Sequence, residues 1–153
     1  MHTEITERPA LRVATVRHIG PYDRIGDAFA RLERVAAAAG LLSPSATLVA
    51  IYHDDPEVVA SAELRSDAGI ELGPAATLPT ALGEVTVPAG RYLLGRHIGP
   101  YSGLPGAWAH LKREWLQHSG HRRAEGVSYE VYPNNPMTAP PHELITDIYI
   151  PLV

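Results

Sequence analysis

The hexapeptide Arg17-His18-Ile19-Gly20-Pro21-Tyr22 recurs unchanged as Arg96-His97-Ile98-Gly99-Pro100-Tyr101, at an offset of 79 residues. The same offset aligns Ala28-Phe29-Ala30 with Ala107-Trp108-Ala109, Leu32 with Leu111 and Arg34 with Arg113. One residue is then inserted. Gly40 matches Gly120 at offset 80, and that offset carries Tyr52 onto Tyr132, Pro56 onto Pro136, Glu63-Leu64 onto Glu143-Leu144, Asp67 onto Asp147 and Ile70 onto Ile150. The chain is one unit written twice, over residues 11–72 and 90–152, with a linker over 73–89 that contains Pro74, Pro79, Gly83 and Pro88. A period near 80 is too long for a solenoid, and two copies are too few. Half-domains of about 60 residues are marginal alone. The expectation is therefore a single domain, residues 1–153, built from both copies.

Each copy reads as strand, helix, strand, strand. The first strands are Leu11–His18 and Tyr92–His97, both stopped by Gly-Pro. Helices follow, with Ile25, Phe29 and Leu32 in one copy and Leu104, Trp108, Leu111 and Trp115 in the other at three- and four-residue spacing. Gly40 and Gly120 suit C-terminal caps. The remaining strands are Thr47–Tyr52 and Asp67–Leu72, then Ser128–Tyr132 and Thr146–Leu152, separated by Asp54-Asp55-Pro56 and Asn134-Asn135-Pro136 turns. This predicts about six strands and two long helices. The fold class is α+β: a duplicated strand-helix-strand-strand module with pseudo-twofold symmetry, its antiparallel sheet carrying both helices on one face and a ligand groove on the other.

Strand alternation sorts the side chains. Ile148, Ile150 and Leu152 share one face of the last strand. Pairing the more apolar faces of the last two strands collects Glu130, Tyr132, Asp147 and Tyr149 on the opposite face. The first copy has Ala50, Tyr52, Asp67 and Gly69 there. An acidic, aromatic-lined concavity suits apolar cations, through cation–π contact and a poorly solvated carboxylate. The bland alternative is a merely solvated sheet face.

Composition excludes other classes. Lys plus Arg is 13 against 17 for Asp plus Glu, a net charge of −4 without the basic patch of a general nucleic-acid binder. There is no cysteine, hence no disulfide framework, cysteine-ligated zinc or thiol catalysis. No apolar run approaches the roughly 20 residues that cross a bilayer. The polar start, Met1 to Pro9, carries no signal-peptide core, so a cytoplasmic protein is expected. Nucleotide loops and a Gly-x-Ser-x-Gly elbow are absent. His110, Glu114 and His118 recur every four residues with His121 beyond, but they flank the apolar stripe, and a solvated flank is the better reading than a metal site. No metal or other cofactor is expected. His18 and His97 stand in both copies, which favours a structural imidazole bonded to a neighbouring loop. Tyr22 and Tyr101 either cap the helix start or rim the groove.

Several motifs together resemble the GyrI-like domain, also called the effector-binding domain of AraC- and MerR-type regulators. They are Arg-His-Ile-Gly-Pro-Tyr entering an Ala-aromatic-Ala helix, Ile51-Tyr52-His53-Asp54-Asp55-Pro56 with Glu63-Leu64-Arg65-Ser66-Asp67, Tyr129-Glu130-Val131-Tyr132 with Asn134-Asn135-Pro136, and Glu143 to Pro151. The resemblance covers residues 11–152 and implies the duplicated fold derived above. It also implies binding of amphipathic, often cationic compounds in the dyad groove, for sensing or sequestration, with a groove acid matched by Glu130 or Asp147. The candidate ligand-binding residues are thus Glu130, Tyr132, Asp147, Tyr149, Trp108, Tyr101 and Tyr52. Stand-alone members described as hydrolases imply an alternative, opening of strained cyclopropane-type compounds, with Glu130 or Asp147 as the catalytic candidates. Members described as DNA gyrase inhibitor-like imply a protein partner, gyrase or a regulator. About ten residues before the first strand leave no room for a helix-turn-helix, so direct DNA binding by this chain is not expected.

Overall fold

The computed structural model describes all 153 residues. Its chain forms two compact units, Ala10–Pro88 and a second made of Met1–Pro9 with Ala89–Val153. The fold is α+β, with antiparallel strand pairing within each unit.

In the first unit the strands are β2 (Leu11–Ile19), β3 (Leu48–Tyr52), β4 (Arg65–Glu71) and β5 (Gly83–Val87), hydrogen-bonded in the order β3-β4-β2-β5. Helix α1 (Gly26–Ala38) lies on one face of this sheet. It buries Ala28, Leu32 and Ala36, spaced by four, against Ala14, Val16, Ala68 and Ile70. In the second unit β1 (His2–Arg8), β6 (Gly90–Ile98), β7 (Ser128–Tyr132) and β8 (Ile145–Pro151) run in the order β1-β6-β8-β7. Here α2 (Leu104–Ala109) continues through a π-helical segment, His110–Trp115, into α3 (Leu116–Ser119). Ala107 and Leu111 pack on Leu93, Ile148 and Ile150. Leu32 and Leu111 are wholly buried; truncating either to Ala should cost about 2–5 kcal/mol.

The six sequence-predicted strands form within a residue or two of their expected ends. Two more are present, so the expected six is corrected to eight. β1 occupies the polar start and β5 lies inside the expected linker. Each precedes the first strand of a copy, yet each pairs with the other copy's first strand: β1 with β6, and β5 with β2. Pro9-Ala10 and Pro88-Ala89 stand at the repeat offset of 79, just after these strands. The repeat thus includes an exchanged leading strand at both ends.

The single inserted residue is also accounted for. The offset changes from 79 to 80 between Arg113 and Gly120, and the widened helical turn spans His110–Trp115. A π turn is how an α-helix absorbs one extra residue without breaking. Gly20 and Gly99 sit at φ 132° and 142°, a region that side chains avoid. Each donates its N–H to a matched carbonyl, Leu64 or Leu144, at 2.8 Å. No helix is long and apolar enough to cross a membrane.

Candidate ligand site

Glu130 is in the middle of β7, 2% exposed. Register puts it opposite Ile148 of β8, hence on the face that carries the helix and not on the helix-free face where the sequence placed it with the groove, an expectation corrected here. Trp108, one turn into α2, donates its indole N–H to Glu130 Oε2 at 2.6 Å. Tyr132, two residues along β7 and so on the same face, donates its hydroxyl to Oε1 at 2.7 Å. Each carboxylate oxygen is therefore fixed by an aromatic donor. Tyr101 meets Tyr132 edge to face, centroids 5.9 Å apart, and is 37% exposed. Its phenol is pushed above the usual tyrosine range, first by burial and then by the negative charge of Glu130. Lys112 Nζ lies 6.0 Å from the Trp108 ring centre. Thr146 shares the Ile148 face by alternation; its hydroxyl is fully buried and makes no hydrogen bond.

Asp147 and Tyr149 lie elsewhere. Tyr149 is opposite Tyr129, and Asp147 is opposite Val131, so both point to the other face of the sheet. The expected gathering of Glu130, Tyr132, Asp147 and Tyr149 on one face is corrected: the stagger of β7 against β8 pairs an even-numbered residue with an even one, and splits the set in two. Asp147 is clamped by Arg96, whose Nε and Nη2 donate at 2.8 and 2.9 Å. The pair raises the Arg96 guanidinium above its ordinary value. Tyr149 stacks on Tyr129 at 4.8 Å and meets Tyr92 edge-on at 6.3 Å.

The first unit repeats this frame without the acid. Its Tyr22 and Tyr52 rings are 4.8 Å apart, matching Tyr101 and Tyr132. Ala50 stands where the second unit has Glu130, and Phe29 where it has Trp108. Tyr52 shares a face with Ala50, while Tyr22 donates to the carbonyl of Asp54 at 2.7 Å. The Arg–Asp clamp is duplicated: Arg17 Nε donates to Asp67 Oδ1 at 2.8 Å. Here a second donor, His53 Nε2, holds the other oxygen. Burial works to raise the Asp67 carboxyl, but the bonds from His53 and Arg17 outweigh it and hold it below the usual range.

The repeated imidazoles behave as loop ties. His18 Nε2 bonds the carbonyl of Pro21 at 2.8 Å, and His97 Nε2 that of Pro100 at 3.1 Å. His118 is spent on the Glu114 carbonyl, and His121 stacks on Trp115; no three metal-ligating side chains come together. Sequence reasoning missed Arg8, Tyr92 and Tyr129. Arg8 Nε donates to the Tyr129 hydroxyl at 3.1 Å, and its guanidinium lies 4.5 Å from the Tyr149 ring centre. The signal that could have found Arg8 was the matched Pro-Ala that extends the repeat into the polar start.

Known proteins share this fold. A protein from Serratia proteamaculans (strain 568) named DNA gyrase inhibitor is 32% identical over 140 residues, 88% of each chain. The EcmrR chain in its DNA complex superposes with a TM-score of 0.80 at 18% identity, over 99% of this chain but 57% of that one. SAV2435 bound to tetraphenylphosphonium superposes at a TM-score of 0.69 and 10% identity, over 100% of this chain and 94% of that one. The model of the GyrI-like small molecule binding domain matches residues 1–153, and the chain belongs to that family.

Proposed function

We propose that the protein binds an amphipathic organic cation, for sensing or sequestration, at the second-unit cluster of Glu130, Trp108, Tyr132 and Tyr101. The observation that carries this reading is the buried Glu130 carboxylate with both oxygens oriented by aromatic donors. A fixed, poorly hydrated negative charge beside aromatic faces favours a cation that brings its own apolar surface. Such a cation gains area burial and cation–π attraction while losing little hydration. Tetraphenylphosphonium, the compound bound to SAV2435, has this chemistry and is the probe of choice. Asp147, committed to Arg96, is a structural clamp in this reading. Titrating the protein with tetraphenylphosphonium should quench tryptophan fluorescence through Trp108 and raise the melting temperature. No change in either up to millimolar probe would reject the proposal.

The name of the Serratia relative favours a second reading, contact with DNA gyrase. Inhibition of supercoiling at stoichiometric protein supports it. Unchanged supercoiling in large excess removes it.

A further inference from the structure

Strand β1 lies at the edge of its sheet and buries no residue fully. Its backbone ladder to β6 is complete, from His2 opposite Arg96 to Arg8 opposite Gly90. One of its side chains reaches deep. Thr6 is opposite Tyr92, so Arg8, two residues on, shares the Tyr92 face, away from the Glu130 cluster. There it meets Tyr129 and Tyr149, which with Tyr92 form a set of rings 0–6% exposed. Tyr129 and Tyr149 stack at an interplanar angle of 17°, and Tyr92 closes the set edge-on at 78° and 88°. The Arg8 guanidinium sits 4.5 Å over the Tyr149 ring and donates to the Tyr129 hydroxyl. The Tyr149 face with the Tyr129 hydroxyl beside it, both braced edge-on by Tyr92, offers a cation a stacking surface and an acceptor together, and guanidinium is the cation best suited to use both.

We propose that the Tyr92–Tyr129–Tyr149 face is a second cation site, selective for guanidinium-type groups, whose resident occupant is the chain's own Arg8. Arg8 acts as a tethered ligand that latches β1 onto its sheet. A free guanidinium competes for the same rings, and capture of that competitor loosens β1. Mass action sets the exchange: the tethered group is present at a high effective concentration, so an external ligand wins only when Arg8 is removed or the ligand is abundant.

The test uses the full chain, ethylguanidinium as probe and neutral ethylurea as its uncharged counterpart. Arg8→Ala should lower the melting temperature by several degrees. Millimolar ethylguanidinium should restore at least half of that loss in Arg8→Ala, leave the parent unstabilised, and be unmatched by ethylurea. Equal responses of parent and variant, or of charged and neutral probes, would overturn the site. Should Arg8→Ala fail to fold, hydrogen exchange on the parent decides. Ethylguanidinium in large excess over the effective concentration of the tethered Arg8 should speed exchange of the β1 amides at least several-fold beyond the effect of equal ethylurea, and equal rates with the two compounds would overturn the proposal. The Glu130→Gln variant, altered on the opposite face, should respond like the parent, which separates this site from the one proposed above.

Discussion

The indole N–H of Trp108 and the carboxylate of Glu130 are 2.6 Å apart, one from a helix and one from the strand beneath it. The pair exists only in the second copy, because the first has Phe29 and Ala50 at the matched positions. The duplicated scaffold therefore supplies the frame, and two residues of the second copy supply the charge and a donor that fixes it.

Replacing Trp108 by Phe tests that relationship. The first unit already holds Phe29 on its helix, so the ring is accommodated. What is lost is a donor to a buried carboxylate oxygen, which should cost about 1–3 kcal/mol. Denaturant unfolding of Trp108→Phe against the parent measures it, with Trp115 left as the fluorescent reporter.

Thr146→Val should be neutral or stabilising, by up to about 1 kcal/mol. The Thr146 hydroxyl is buried without a partner, and an isosteric methyl removes the cost of desolvating it. A thermal melt reads the sign. A loss of several degrees would show that the hydroxyl is satisfied in solution.

Gly95→Val should destabilise by about 1–3 kcal/mol through overpacking. A Cβ at this position would come 2.7 Å from Leu111 Cδ1. The matched residue in the first copy is Val16, which its unit accepts under Leu32. The helix of the second unit thus packs on the sheet through the missing side chain. Equal stability of variant and parent would show that Leu111 has room to turn.

Acid stability should depend on Asp67. Its folded pKa lies below the unfolded one, so its contribution is present above the ordinary carboxylate value near 3.8 and is lost as pH falls through the lower folded value. Asp67→Asn should be less stable at pH 7, by about 2 kcal/mol for lost charge-assisted bonds. It should also show a flatter stability profile than the parent between about pH 5 and pH 2. Urea midpoints across that range check both points.

The fold was legible because the repeat repeats its punctuation. Gly20-Pro21 and Gly99-Pro100 stop matched strands, and the alternation within β2, β4, β6 and β8 marks one apolar face. β1 and β5 escaped for the converse reason. Edge strands such as His2–Arg8 are mostly solvated, and a polar run carries no period-two apolar signal. The family, and with it the candidate acid Glu130, was readable from motifs. The company of Glu130 was not. Alternation says which residues of one strand share a face, but only the stagger of β7 on β8 joins Glu130 to Ile148 and sends Tyr149 to Tyr129. The inserted residue was visible as a shift from 79 to 80. That it would be wound into a π turn, rather than looped out before Gly120, depends on packing along the helix.

In the proposed site, binding turns on the charge of one carboxylate, Glu130. Titration calorimetry with tetraphenylphosphonium should compare the parent, Glu130→Gln and Asp147→Asn. Removing the Glu130 charge should weaken binding at least tenfold, which corresponds to about 1.4 kcal/mol or more, while Asp147→Asn, on the opposite face, should bind within about threefold of the parent. Equal affinity of Glu130→Gln and the parent, or a selective loss in Asp147→Asn, would contradict it.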